Sequence, residues 1–422
     1  MTMGKPLKTL YLCYFGLREP LVQTQVLPYL RQLIASGEVE VFLLTFEPER
    51  RQAWTVADEA DWRARLAREG IHWVSLPYHK SPSVLVTPYD ILCGAWTAVR
   101  LARRHGIDVL HARGHIPALM GAIAKRISGG RLLFDIRGFL PEEYTDAGVW
   151  PENGYIYRVV KRVERHLFAA TDGFVVLTEK ARGLLFNGHT ETDERGRPIE
   201  VIPCCVDAER FHAAAAAEST REEMRRELKV TGRRVFVYVG SFGGWYMTDE
   251  MTRFLAHAQR QDPSTFSMIL TQSRPEEVAE RLRRLGLREQ DFFVGKVAPA
   301  DVPRYLRAAD VAISFIKACY SKLSSSPTKI AEYLASGLPV ICNTGVGDLD
   351  ELIETDRVGV LISDFTPAAY ERALGELAAL RQDEDLPERC RTSARRRFDL
   401  VKVGGARYRR LYRRLMEGNH TL

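Results

Sequence analysis

In SSSPTKIAEYLASGLPV, Ser324 to Val340, a Ser-Pro-Thr-Lys run precedes a lone glutamate one turn further on. Ser326 as an N-cap with Pro327 at the first helical position is a strong helix start, because serine accepts an orphan N–H and proline has none to lose there. The amides of Thr328 and Lys329 then lie at the positive end of a helix dipole, and the Lys329 ammonium adds a full charge, a pairing suited to phosphate. Glu332 follows on the same side as Lys329, while Ile330 and Leu334 face inward. A carboxylate beside a bound diphosphate would be repelled by it, so its natural task is to accept hydroxyls such as those of a ribose. The alternative is an exposed Lys329–Glu332 ion pair on a well-capped helix.

Other residues carry chemistry in their spacing. Gly240 to Gly244 in YVGSFGGWY follow a strand, where glycine lets the backbone approach a phosphate or sugar; Ser241 and Gly243 lie inside that loop. Asp135 and Arg137 end the strand in FDIRGFLPEEY. His111 and His115 in HARGH have metal-ligand spacing only on a helix; here they close a strand and no third ligand is in view, so no metal is assigned, and His115 is a candidate to line a substrate cleft. Asp348 and Asp350 form a DxD at the start of a helix, where aspartates cap and favour the dipole, and capping is the better reading.

The elements that position these groups alternate. Short apolar runs (TLYLCYFGL, VEVFLLTFE, IHWVSLPY, DVLHARG, RLLFDIRG, DGFVVLTE, EVIPCCVD) are separated by stretches of helical period, the first of them VQTQVLPYLRQLIASG. A second series runs through RRVFVYVGS, FSMILTQ, DFFVGKV, DVAISFI and LPVICNT. Repeated βαβ units predict parallel sheets in two Rossmann-like halves. The boundary is expected between Asp207 and Glu223, across an alanine-rich stretch, giving domains 1–207 and 208–392 and a C-terminal helical segment 393–422. Tyr408, Leu411, Tyr412 and Leu415 fall at i, i+3, i+4, i+7, so the last helix packs an apolar face and is expected to cross back to the first domain.

A chain of 422 residues, 45% hydrophobic, supports two large domains. The net charge of +6 suits an anionic partner, and the arginines near the C-terminus lack the stacking aromatics of a nucleic-acid module, so no nucleic acid is assigned. Seven cysteines without a CxxC sit in apolar runs, as expected in a reducing compartment. The N-terminal apolar run is short and interrupted and is read as a strand rather than a signal peptide, and no run is long enough to span a bilayer. In YIYRVVKRVERHLF, Ile156, Val159, Val160, Val163 and Leu167 share one stripe and Arg158, Lys161, Arg162 and Arg165 the opposite one. That face is either solvated or docks on anionic lipid.

The segment SKLSSSPTKIAEYLASGLPVICNTGVGD resembles the donor-binding motif of the family 4 retaining glycosyltransferases, and VIPCCVDAERF, FVYVGSFGGWY, LREPLVQTQVLPYLRQL and GFVVLTEKAR resemble other family segments in the same order. The resemblance covers nearly the whole chain. It implies the α/β GT-B fold: two Rossmann-like domains facing each other across a cleft, an acceptor-binding one first and a nucleotide-sugar-binding one second.

Residue by residue, Glu332 matches the second glutamate of the family's E-x7-E motif, which binds the ribose. The first, which touches the donor sugar, falls at Ser324, a departure shared with a branch carrying Ser-Pro-x-Lys. The resemblance turns the Gly240–Gly244 loop toward the donor diphosphate, but Trp245, Tyr246 and Met247 stand where many members carry an Arg and a Lys, leaving Lys329, with Lys322 or Lys317, to supply the charge. Gly16 is expected in a tight loop beneath the donor sugar, or as an ordinary turn glycine. Asp135 is a candidate for acceptor-hydroxyl contact or base, with Arg137 beside it, or else an Asp–Arg pair tying down a loop. The base of the nucleotide is expected near Val297.

The implied reaction is a retaining, metal-independent hexosyl transfer from a nucleotide sugar, UDP being the family's prior, to a saccharide or lipid-linked acceptor in cell-surface polysaccharide or glycolipid assembly. No cofactor is implied, and the setting is cytoplasmic, with an anionic membrane surface as a further partner. A sugar-nucleotide epimerase of similar fold and a non-catalytic nucleotide- or membrane-binding scaffold are the alternatives.

Overall fold

The computed structural model describes residues 5–48, 54–79, 83–211 and 218–417. Part of the expected boundary stretch, residues 212–217, lies outside the described residues. The chain forms two compact units: Met1–Pro203 with Val403–Leu422, and Cys204–Lys402.

The first unit is built on a seven-stranded sheet of β1 (Leu7–Cys13), β2 (Val39–Pro48), β3 (Ile71–Tyr78), β4 (Val109–Arg113), β5 (Arg131–Asp135), β6 (Gly173–Val176) and β7 (Ile199–Val201), in the order β3-β2-β1-β4-β5-β6-β7. Every pairing is parallel. Leu10, Tyr11, Leu12 and Cys13 of β1 are at most 2% exposed, which explains the unbroken apolar run: helices cover both faces of a parallel sheet. The predicted long first helix is two, Pro20–Gln25 and Leu27–Ile34, broken at Val26, because Pro28 lacks an N–H and crowds the preceding turn.

The second unit has six parallel strands, β8 (Arg234–Val239), β9 (Thr265–Leu270), β10 (Phe292–Gly295), β11 (Val311–Ser314), β12 (Val340–Asn343) and β13 (Gly359–Ile362), ordered β10-β9-β8-β11-β12-β13. Alternation along β8 divides its core: Val235 and Val237 pack with Ile330 and Leu334 on one face, Phe236 and Tyr238 with Met251, Phe254 and Leu255 on the other.

The segment 393–422 is not one piece. The helix Leu386–Phe398 buries Cys390 and Ala394 in the core of the second unit, whereas the helix Ala406–Glu417 belongs to the first and buries Tyr408, Leu411, Tyr412 and Leu415, the four residues its periodicity marks. A π-helical stretch, Leu400–Gly405, joins them.

The basic helix Tyr155–Ala170 departs from its expected pattern. Leu167 and Glu164 are its buried residues, while Ile156 and Val159 remain 51% and 43% exposed. Lys161 is drawn into ion pairs with Glu164 and, at 3.0 Å, with Glu142 rather than standing on a solvated basic face. Among the described residues no helix is long and apolar enough to cross a membrane.

Candidate functional site

In the second unit the strand order reverses between β8 and β11, and open parallel sheets bind ligands beyond the carboxyl ends of strands at such a switch point. The glycine loop Gly240–Gly244 follows β8; the segment leading to Ser324–Lys329 follows β11. Sequence-distant candidates therefore meet at one edge.

The helix there spans Thr328–Ala335, one residue later than expected. Pro327 occupies the N-cap position and no side chain caps the helix, while the Ser326 hydroxyl accepts the amide of Cys204 at 3.1 Å. The first turn thus presents its amides without a competing side-chain acceptor, the condition under which a helix start receives an anion. Ile330, Ala331, Tyr333 and Leu334 are buried and seat the helix on the sheet, each large apolar side chain contributing about 1.5–3 kcal/mol.

Lys329 is 8% exposed. Its Nζ donates to Tyr238 Oη at 3.0 Å and lies 4.3 Å from the centroid of the Tyr238 ring and 3.8 Å from that of Tyr246. Tyr238 Oη in turn donates to the Ser241 carbonyl at 2.6 Å, and the amide of Gly240 donates to Leu270, so the lysine and the glycine loop are fixed together. Burial brings the Lys329 ammonium down to about 7, against the opposing influence of Glu332. Glu332 is half-buried, and burial pushes its carboxyl up to about 7 against the pull of Arg210 and Lys329.

Ser324 closes a short 3-10 turn, Tyr320–Ser324, is 2% exposed, and donates its hydroxyl to the Ser321 carbonyl at 2.6 Å. That bond occupies the hydroxyl inside the turn. Lys322 lies with its Nζ 3.9 Å from the Trp245 ring centroid. The Trp245 and Tyr246 segment is itself pinned, since the Lys317 amide donates to the Trp245 carbonyl at 2.9 Å and Tyr246 bridges Ile316. A cavity of about 540 Å³ opens beside Gly243, lined by Phe242, Thr248, Gln272, Ser273 and Arg274 among others. Gln272 donates to the Val297 carbonyl at 2.8 Å.

Asp348 stands at the N-cap of the helix Leu349–Asp356 but makes no side-chain cap, and Asp350 accepts the Gly345 amide at 3.1 Å. Asp350 therefore braces a loop. Among the described residues no three His, Cys, Asp or Glu side chains gather as a metal site.

In the first unit the candidates follow strands β1, β4 and β5, again around a switch point. Gly16 is buried, and a Cβ there would meet Glu47 Oε2 at 2.9 Å and Pro48 at 3.2 Å; Glu47 accepts the Leu17 amide and the Thr45 hydroxyl and so holds the loop. His115 opens the helix His115–Ser128 and bonds Glu164 at 3.0 Å, and Glu164 pairs with Lys161.

Asp135 has no exposed surface. Tyr408 donates to it at 3.1 Å, Arg137 lies at 3.4 Å, His111 at 3.6 Å and Arg113 at 3.8 Å. Burial opposes its charge, but Arg137, His111 and Arg113 outweigh that and hold the carboxyl well below the usual carboxylate range. The expectation of a base open to an acceptor hydroxyl is corrected here: enclosed and strongly acidic, Asp135 anchors the last helix and two arginines. Sequence reasoning missed Tyr408 as its partner, and Tyr238 as that of Lys329; burial of Tyr408 was legible from its helical period, its hydroxyl contact was not.

Two parallel-sheet Rossmann-like domains, the second with an open helix start at its switch point, form the architecture of GT-B proteins. Residues 22–210 match the model described as Glycosyltransferase Family 4 and residues 219–397 that described as Glycosyl transferases group 1. The chain belongs to this glycosyltransferase family. It is 26% identical over 294 residues to the D-inositol 3-phosphate glycosyltransferase of Salinispora tropica, covering 66% of this chain and 58% of that protein. It is 23% identical over 274 residues to the alpha-monoglucosyldiacylglycerol synthase of Streptococcus pneumoniae, covering 63% and 58%. The matched segments thus span little more than half the length of these relatives. The crystal structure of Anabaena Alr3699/HepE in complex with UDP has the same fold, with TM-score 0.69 at 17% identity over 96% of this chain and all of that one.

Proposed function

We propose that the chain is a retaining glycosyltransferase that moves a sugar from a nucleoside-diphosphate donor, UDP-linked, to a saccharide or lipid-linked acceptor. One observation carries this reading: the helix Thr328–Ala335 starts without a side-chain cap and sets Lys329 beside Gly240 at the switch point of the second sheet, with Glu332 one turn further along the same helix. In the reaction the bond from the sugar C1 to the diphosphate oxygen breaks and the electron pair leaves with the diphosphate. The first-turn amides and the Lys329 ammonium stabilise that charge, and Glu332 accepts a ribose hydroxyl. The acceptor hydroxyl enters on the face the leaving group vacates and passes its proton to the departing diphosphate oxygen, so the anomeric configuration is kept. Preorganised positive charge does the main work, and no side chain of the first unit is assigned as base.

The UDP and UDP-glucose complexes of the Anabaena protein support a UDP-sugar donor. The relatives named for inositol 3-phosphate and diacylglycerol support a saccharide or lipid-linked acceptor. Peripheral attachment at a cytoplasmic membrane face fits the exposed Tyr155, Ile156 and Val159 flanked by Arg158 and Arg162.

The test is incubation with UDP-, GDP- and ADP-sugars with and without saccharide and glycolipid acceptors, followed by proton NMR of the product. Transfer that needs an acceptor and keeps the donor's anomeric configuration is expected. Epimerised donor without any acceptor, or nucleotide binding without turnover, would replace this reading with an epimerase or a scaffold.

A further inference from the structure

The loop after β8 carries two adjacent aromatic residues, Trp245 and Tyr246. Trp245 and Tyr246 are neighbours on a loop pinned to Ile316 and Lys317, and each offers its ring to a different lysine: Trp245 to Lys322 at 3.9 Å, Tyr246 to Lys329 at 3.8 Å. Both lysines are nearly enclosed, at 6% and 8% exposure, and both lie on the segment after β11 rather than on the loop that holds them. We propose that Trp245 and Tyr246 are positioning residues that hold Lys322 and Lys329 as a paired ammonium cradle for the donor diphosphate.

The physical reason to hold Lys329 with rings is that they fix its ammonium without neutralising it. A carboxylate partner would orient a lysine equally well, but it would have to be displaced, or leave the cradle with less net charge, when the diphosphate arrives. An aromatic face attracts the ammonium through its quadrupole, more strongly once water is excluded, and adds no opposing charge of its own. Among the described residues no carboxylate lies within ion-pair distance of Lys329; Glu332, one turn along the helix, is the charged group that influences it. The second ring on Lys329, Tyr238, adds an acceptor oxygen at 3.0 Å, so the ammonium is held from two sides and its Nζ stands against the backbone of Gly240. No bulkier residue could occupy Gly240 while the lysine kept this place.

This inference rests on the nucleotide-sugar reading of the same site, and the experiment separates the two. Unaltered chain, Tyr246→Leu, Tyr246→Phe and Trp245→Leu are titrated calorimetrically with UDP and with uridine, with thermal unfolding recorded for each. The cradle predicts that Tyr246→Leu and Trp245→Leu weaken UDP about tenfold, close to what a desolvated cation–π contact is worth, that uridine binding does not change because it carries no phosphate, and that Tyr246→Phe recovers most of the loss. Equal binding of UDP by the unaltered chain and both leucine variants overturns the cradle and leaves the donor site standing. Parallel loss of UDP and uridine, or a loss in Tyr246→Phe as large as in Tyr246→Leu, overturns it as well, because the residue would then act by shaping the loop. Absence of nucleotide binding by the unaltered chain overturns both.

Discussion

A Cβ on Gly240 would stand 2.7 Å from the Nζ of Lys329 and 3.3 Å from its Cε. Gly240 also holds φ at +140°, a conformation that L side chains rarely adopt. Gly240→Ala is therefore expected to displace the lysine and to strain the loop, costing about 1–3 kcal/mol of stability and most of the nucleotide affinity. Urea unfolding and nucleotide titration of the variant read the two effects separately; a fully stable variant with normal affinity would show that the close approach has no role.

Donor binding should have a bell-shaped pH profile. Lys329 titrates at about 7 because burial disfavours its charge, and Glu332 at about 7 because burial disfavours its own. Binding through an ammonium and a carboxylate weakens above pH 7 as Lys329 loses its proton, and below it as Glu332 gains one. Lys329→Arg should flatten the alkaline limb, since the guanidinium stays charged, and Glu332→Gln the acid limb. Affinity measured from pH 5 to 9 decides this, and a flat profile for the unaltered chain would contradict it.

The Asp135 anchor predicts a stability effect. Removing the carboxylate leaves Arg113 and Arg137 beside an uncompensated hole, so Asp135→Ala should cost about 3–5 kcal/mol in urea unfolding. The folded carboxyl lies below its unfolded value of about 3.9, so its contribution is complete above that value and is lost as pH falls through the folded one. Variant and unaltered chain should thus converge in stability as pH drops below about 4; a gap of constant size down to pH 2 would argue against the charged anchor.

Turnover should persist in EDTA. Asp350 is engaged with the Gly345 amide, and the proposed reaction meets the charge on the leaving diphosphate with amides and lysines rather than a metal. Activity abolished by EDTA and restored by magnesium or manganese would refute this assignment.

Lipid attachment can be tested on the uncovered half of the helix Tyr155–Ala170. Ile156→Asp with Val159→Asp should reduce sedimentation with anionic vesicles several-fold and leave it unchanged with neutral ones. Equal sedimentation of the double variant would place any membrane contact elsewhere.

Much of the fold was legible because both sheets are parallel and buried, so their strands stand out as apolar runs. The exception is β13, Gly359–Ile362, an edge strand buried only at alternate residues that follows the left-handed Arg357. The helix that carries Lys329 and Glu332 was legible too, to within one residue at its start, since its Ser-Pro-Thr-Lys run is local in sequence. What failed depended on distant partners. Asp135 could not be known as enclosed without Tyr408, 273 residues away, and the meaning of Trp245 and Tyr246 needed lysines from beyond β11. The exposed Ile156 shows the converse limit: an apolar stripe reveals a face, not whether anything covers it.

The most direct measurement is calorimetric titration of the chain with UDP, GDP and ADP alongside Glu332→Ala. One nucleoside diphosphate should bind, UDP by this account, and the variant should lose most of that affinity while remaining folded. Undiminished binding by Glu332→Ala, or no binding of any of the three by the unaltered chain, would contradict the assignment of the Thr328–Ala335 helix as the donor site.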